Sequence, residues 1–155
     1  MTQLQVGDKA PLFTLLDQYG QKTLLSKLKG KRVVVYFYPR ADTPGCTTQS
    51  CALRDAEPDL AALDVEIIGI SPDTPAKLEK FDEKYSLGFT LLADEDHSVA
   101  EAWGVWAEKV NYGKKYMGIV RSAFVVDEKG RLAGVFYKIS PKDTVPKVTK
   151  ILEGD

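Results

Sequence analysis

Six consecutive residues, Val33-Val34-Val35-Tyr36-Phe37-Tyr38, are all β-branched or aromatic, and the run stops at Pro39. A segment with no polar face fits a strand covered on both sides of a sheet, which in turn requires helices above and below that sheet. Val65 to Ile70 is a second run of this kind, interrupted by Glu66 and Gly69. Between them lies a helical stretch from about Cys46 to Leu63, with a kink expected near Pro58, whose ring cannot donate to the preceding turn. Strand, helix and strand in that order predict a right-handed crossover joining a parallel pair.

The rest of the chain extends this unit. After a turn at Asp17 to Gly20, Lys22 to Leu25 leads into one brief helical turn stopped at Gly30. Asp73 or Thr74 can cap a helix that starts at Pro75 and buries Leu78, Phe81 and Tyr85, ending at Gly88. Phe89 to Leu92 reads as a short strand. Val99, Ala102 and Trp103 mark a further helix closed by Gly104, and Trp103 reads as core. Ile119 to Val126 and Arg131 to Tyr137 flank Asp127-Glu128-Lys129-Gly130, an antiparallel hairpin with glycine in its loop. A last helix runs from about Thr144 to Leu152. Ala107 to Gly118 is polar and reads as a long mobile loop bordering any site nearby. The expected fold is α/β, a mixed central sheet flanked by helices, with a parallel centre and an antiparallel edge, in one domain over residues 1–155.

Charge and length narrow the function classes. The 21 basic and 22 acidic residues nearly cancel and form no dense basic block, so nucleic acid is not an expected partner. The apolar runs are far too short to span a bilayer and the N-terminus is polar, so no membrane association and a cytoplasmic location are expected. A chain of 155 residues buries enough surface to fold without disulfides, and two cysteines in a reducing compartment point to chemistry rather than stapling. Asp94-Glu95-Asp96-His97 superficially resembles a metal cluster, but it holds one histidine and precedes a helix, where carboxylates favour the dipole. Capping is the expected role, and no metal or cofactor is expected.

The chemistry concentrates in Pro39-Arg40-Ala41-Asp42-Thr43-Pro44-Gly45-Cys46, directly after the central strand and at the opening of the next helix. Strand carboxyl ends in such sheets form the binding crevice, and a helix N-terminus offers unpaired N–H groups that favour an anion. A cysteine in that first turn has its thiolate form favoured. Thr43 can bring a hydroxyl beside the sulfur, donating or accepting, while Pro39 shields the pocket without offering an N–H. Taken singly, Thr43 would be a cap, Pro39 a strand terminator and Arg121 an edge-strand arginine. Arg40 is a competing cation beside the motif.

Pro39, Thr43 and Cys46 match the Pro-x-x-x-Thr/Ser-x-x-Cys signature of peroxiredoxins, and the chain resembles that family along nearly its whole length. Gly7-Asp8-Lys9-Ala10-Pro11 with Phe13 looks like the family's opening, Val34 to Tyr38 like its central strand, and Gly104-Val105 after Trp103 like the landmark before its essential arginine. With Cys51 five residues after Cys46, the sequence is most similar to the bacterioferritin comigratory protein or peroxiredoxin Q group. The resemblance implies a thioredoxin-like fold and a thiol peroxidase with Cys46 as peroxidatic and Cys51 as resolving cysteine. It also implies Arg121 as the essential arginine, and a hydroperoxide substrate with thioredoxin or a similar dithiol as reductant. A monomer is expected, with a dimer as the alternative.

Residues five apart in an unbroken α-helix have Cα atoms roughly 8.5 Å apart, beyond the ~7 Å reach of a disulfide. The helix must therefore unwind between Cys46 and Cys51 in each cycle, and Thr47-Thr48-Gln49-Ser50 suits that with weak helix formers. Two other classes compete. A thioredoxin-type oxidoreductase would carry Cys-x-x-Cys rather than four intervening residues. A non-enzymatic redox sensor or chaperone-like module would use the same cysteine pair without catalytic turnover.

Overall fold

The computed structural model describes residues 3–154. Nine strands and four α-helices follow the order β1 (Thr14–Asp17), β2 (Lys22–Leu24), β3 (Arg32–Phe37), α1 (Pro44–Ala62), β4 (Val65–Ser71), α2 (Pro75–Tyr85), β5 (Thr90–Ala93), α3 (Ser98–Ala102), β6 (Trp106–Asn111), β7 (Lys114–Ile119), β8 (Ser122–Val126), β9 (Leu132–Phe136) and α4 (Thr144–Glu153). Seven strands form one sheet in the order β2-β1-β5-β4-β3-β8-β9. Its centre is parallel, β3 pairing with β4 and β4 with β5, while β8 and β9 continue it antiparallel on one side and β1 and β2 on the other. The expected thioredoxin-like α/β architecture is the one observed.

The alternation along β3 explains why its sequence shows no polar face. Val34 and Tyr36, with Tyr38 beyond the strand's end, enter the core beneath α1, α2 and α4, whereas Val33, Val35 and Phe37 enter the opposite core with Trp103, Val105 and Phe124. All six β3-run residues are at most 1 % exposed, and each such side chain contributes roughly 1.5–3 kcal/mol by leaving water. Gly69 on β4 has no side chain because the Tyr36 ring occupies that space: a Cβ there would lie 2.7 Å from Cζ of Tyr36.

Helix ends follow their residue chemistry. The Thr74 hydroxyl, rather than Asp73, accepts the Lys77 N–H at the start of α2. The Asp94 carboxylate accepts from the Val99 and Ala100 N–H groups, and Asp96 from the Ser98 N–H, so both serve the start of α3 as expected. Pro58 lies inside α1 without ending it.

Two features differ from the sequence reading. Residues 107–118 are not a loop but the body of an antiparallel hairpin, β6 paired with β7 from Trp106 opposite Ile119 to Asn111 opposite Lys114. Its two-residue turn places both Tyr112 (φ 51°) and Gly113 (φ 77°) in the left-handed region that matches the strand twist. Likewise, the strand expected over Ile119 to Val126 is two strands. Ile119 closes β7, Ser122 opens β8, and Arg121 lies in the short connection between them.

Candidate active site

Strand β3 ends at Phe37, and the segment from Tyr38 to Thr43 turns the chain into α1. Two carboxylates hold that turn. Asp73, from the connection after β4, accepts the Ala41 N–H at 2.7 Å and the Ser71 hydroxyl at 2.7 Å. Asp42, at φ 61°, is bound by the Tyr85 hydroxyl at 2.7 Å and Lys84 Nζ at 2.9 Å, both near the end of α2. Those contacts hold its carboxyl below the usual aspartate range, the Tyr85 hydrogen bond first and Lys84 second.

Thr43 is the N-cap residue by backbone conformation, yet its side chain does not cap. Its hydroxyl donates instead to the Arg40 carbonyl at 2.9 Å, which leaves the oxygen lone pairs to accept. With Pro44 lacking an N–H, the amides of Gly45 and Cys46 are first-turn donors without a capping side chain. Cys46 follows in that first turn with its side chain fully buried. Cys51 lies further along the same helix, half-buried against the core beneath α1, and both thiols are free. Pro39 is half-buried two residues after the end of β3, whereas Arg40 is exposed and has no ion-pair partner among the described residues.

Arg121 reaches this point from the connection just before β8, the strand paired antiparallel with β3. Its Nη1 lies 3.4 Å from Cys46 Sγ and 2.9 Å from Gln49 Oε1. Gln49 is fully buried, and its amide donates to the Thr144 hydroxyl at 3.0 Å, which donates in turn to the Ser140 carbonyl at 3.1 Å. The guanidinium is thus tied through α1 to the start of α4. It also lies over Gly45, where an added Cβ would sit 2.9 Å from Nη2. The structure therefore brings Thr43, Cys46 and Arg121 together around the start of α1, with Pro39 at the strand end before it, and leaves Cys51 five positions along the helix. Sequence reasoning missed Gln49, although its place one helical turn after Cys46 puts both on one helix face. It also missed Asp73, whose role depends on a contact spanning 32 residues.

Arrangements of this kind place cationic and amide donors beside a buried sulfur, which suits attack on an electrophilic atom with charge developing next to it. Trp106, half-buried on β6, is stacked on His97 at 3.8 Å, and Trp103 is fully buried in the core as expected.

Comparison with known proteins agrees with this geometry. The AhpC/TSA family profile matches residues 6–135. Peroxiredoxin Bcp of Escherichia coli is 52 % identical over 136 residues, covering 88 % of this chain and 87 % of its own length. Peroxiredoxin Bcp of Bacillus subtilis is 47 % identical over 150 residues, covering 97 % and 96 %. The solved bacterioferritin comigratory protein of Xanthomonas campestris, described with alkyl peroxide reduction activity, superimposes with a TM-score of 0.87 at 30 % identity over 92 % of this chain and 90 % of that one. The chain belongs to the AhpC/TSA family of peroxiredoxins, thiol-dependent peroxidases, in the bacterioferritin comigratory protein or peroxiredoxin Q group.

Proposed function

We propose that this peroxidase runs an intramolecular two-cysteine cycle on hydrogen peroxide and organic hydroperoxides, with Cys46 attacking, Cys51 resolving and a dithiol protein such as thioredoxin restoring both thiols. The observation that carries the reading is the Arg121 guanidinium held 3.4 Å from the sulfur of a buried helix-start cysteine. The Cys46 thiolate attacks the terminal oxygen of the hydroperoxide. A sulfur–oxygen bond forms, the oxygen–oxygen bond breaks, and the sulfenic acid keeps the attacked hydroxyl. The departing oxyanion takes a proton from solvent to leave as water or alcohol. Arg121 and the Cys46 N–H stabilise its charge as it develops. Because the Thr43 proton is committed to the Arg40 carbonyl, Thr43 serves as acceptor for the O–H of the incoming peroxide, and Pro39 shields the pocket from water.

The Cys51 thiolate then displaces hydroxide from the sulfenic sulfur, closing the disulfide, and the external dithiol reduces it by exchange, supplying the two electrons. Both cysteines lie on unbroken α1, so the disulfide requires the helix to unwind between them. The alkyl peroxide activity described for the Xanthomonas relative supports organic hydroperoxides among the substrates. The same reading places the enzyme in the cytoplasm, where dithiols are kept reduced, acting as a monomer. The test is steady-state peroxide consumption with thioredoxin and its reductase. Cys51→Ser is expected to keep one rapid peroxide turnover and lose thioredoxin-supported cycling. Unchanged cycling would assign a one-cysteine mechanism. Peroxide-dependent oxidation of wild type without catalytic consumption would instead identify the cysteine pair as a sensor.

A further inference from the structure

Lys109 on β6 is a cation in an unexpected place. Its stem crosses the bare backbone of Gly118 on the neighbouring strand, where an added Cβ would lie 3.1 Å from Lys109 Cδ, and its ammonium donates to the Ile119 carbonyl at 2.8 Å. Ile119 is two residues from Arg121, so the backbone that presents the guanidinium to Cys46 also holds this second charge. Lys109 is half-buried, and neither it nor Arg121 has a carboxylate within ion-pair distance among the described residues. Burial lowers the Lys109 pKa from the ordinary lysine value, the Arg121 charge pushes it the same way, and Cys46 acts in the opposite sense. Two cations sharing one region without an acidic partner repel each other and cost stability, unless an anion forms between or beside them. The Arg121 end of this pair lies 3.4 Å from a group able to carry that anion, the Cys46 sulfur.

We infer that Lys109 is a second cation of the peroxide-reducing centre, a positioning charge held on the Ile119 carbonyl that supports the Cys46 thiolate and the oxyanion expelled when it attacks. Only one of its three N–H donors is used within the described residues. The hairpin β6–β7 thereby acquires a function: it carries a fixed charge to the site from a segment outside the signature motif. The inference rests on the assignment of Cys46 and Arg121 to the peroxidase site.

The experiment measures thiolate absorbance at 240 nm against pH, together with the second-order rate constant for hydrogen peroxide, in a Cys51→Ser background so that Cys46 alone is followed. Lys109→Met should move the absorbance curve to higher pH and lower the rate constant at pH 7 by roughly threefold to tenfold, as expected for loss of one nearby charge. Lys109→Arg, which keeps the charge, should restore both, and circular dichroism of each variant checks the fold. Arg121→Gln is measured alongside. If it shifts the curve and Lys109→Met does not, the Lys109 inference is overturned while the site assignment stands. If neither substitution changes curve or rate, the site assignment itself fails. A Lys109→Arg variant as impaired as Lys109→Met would show that packing rather than charge is at work, and would also overturn the inference.

Discussion

Gln49 links the two halves of the proposed cycle in opposite senses, and Gln49→Ala separates them. In the folded structure its oxygen accepts from Arg121 Nη1 at 2.9 Å and its amide donates to Thr144 at 3.0 Å, with the side chain fully buried. The first bond is charge-assisted and worth about 1.5–3 kcal/mol, the second about 0.5–1.5 kcal/mol. Neither survives when α1 unwinds to bring Cys51 to Cys46. Removing both therefore destabilises the wound helix relative to the unwound one by about 2–4.5 kcal/mol, of which ~1.4 kcal/mol already corresponds to a tenfold change. The same deletion frees the Arg121 guanidinium from its anchor and weakens charge stabilisation during peroxide attack. Formation of the sulfenic acid should slow roughly tenfold, whereas closure of the disulfide should accelerate by at least roughly tenfold. Rapid mixing with one equivalent of peroxide, quenching with dimedone and weighing the intact protein resolves the two steps. A variant in which disulfide closure is unchanged or slower would refute the claim that the Gln49 tie holds the helix wound.

Other outcomes follow from single contacts. Gly45→Ala should lower the peroxide kcat/KM several-fold while leaving the Tm nearly unchanged, because the new methyl meets the movable end of Arg121 at 2.9 Å rather than fixed backbone; steady-state kinetics with a thermal melt checks both. Gly69→Ala should cost about 1–3 kcal/mol in urea unfolding, since its methyl would overlap the buried Tyr36 ring, whose hydroxyl is hydrogen-bonded to Ser50 at 2.8 Å. The Asp42 carboxyl is held low by Tyr85 and Lys84. Its contribution to stability is accordingly present above the unfolded-state aspartate pKa and lost as pH falls through the lower folded value. Thermal melts of wild type and Asp42→Asn should therefore differ at pH 6 and converge as pH falls through the lowered Asp42 value, and a gap that persists once that carboxyl is protonated would contradict the assignment.

The central sheet was legible because burial on both faces leaves its mark on every residue. Val33 to Tyr38 admits no polar face and Val65 to Ile70 breaks its apolar run only at the half-exposed Glu66, and β3 and β4 lie where those runs lie. The start of α1 was legible to within two residues, read at about Cys46 where the helix begins at Pro44, and Cys46 stood out from its place in the motif. The β6–β7 hairpin was not, since much of it faces water. Val110 is 65 % exposed and Tyr112 98 % exposed, so no apolar alternation marks the strands, and the turn uses Tyr112-Gly113 in place of the usual Asn-Gly. Edge strand β2 and its neighbour β1 are short and half-exposed and leave no such mark either. The supporting residues of the site were hidden differently. Gln49, Asp73 and Lys109 are ordinary polar residues by local pattern. Their roles arise from contacts with Arg121, Ala41 and the Ile119 carbonyl that the chain makes only once folded. Arg121 itself stood out through family resemblance alone.

The central claim is that Cys46 is the atom oxidised and that Cys51 closes the bond onto it. Intact mass after one equivalent of hydrogen peroxide tests it on wild type, Cys51→Ser and Cys46→Ser. The account predicts loss of two hydrogens in wild type, gain of one oxygen on Cys46 in Cys51→Ser, and no prompt change in Cys46→Ser. Prompt oxidation of Cys46→Ser, or a wild-type protein that leaves the peroxide unconsumed, would contradict it.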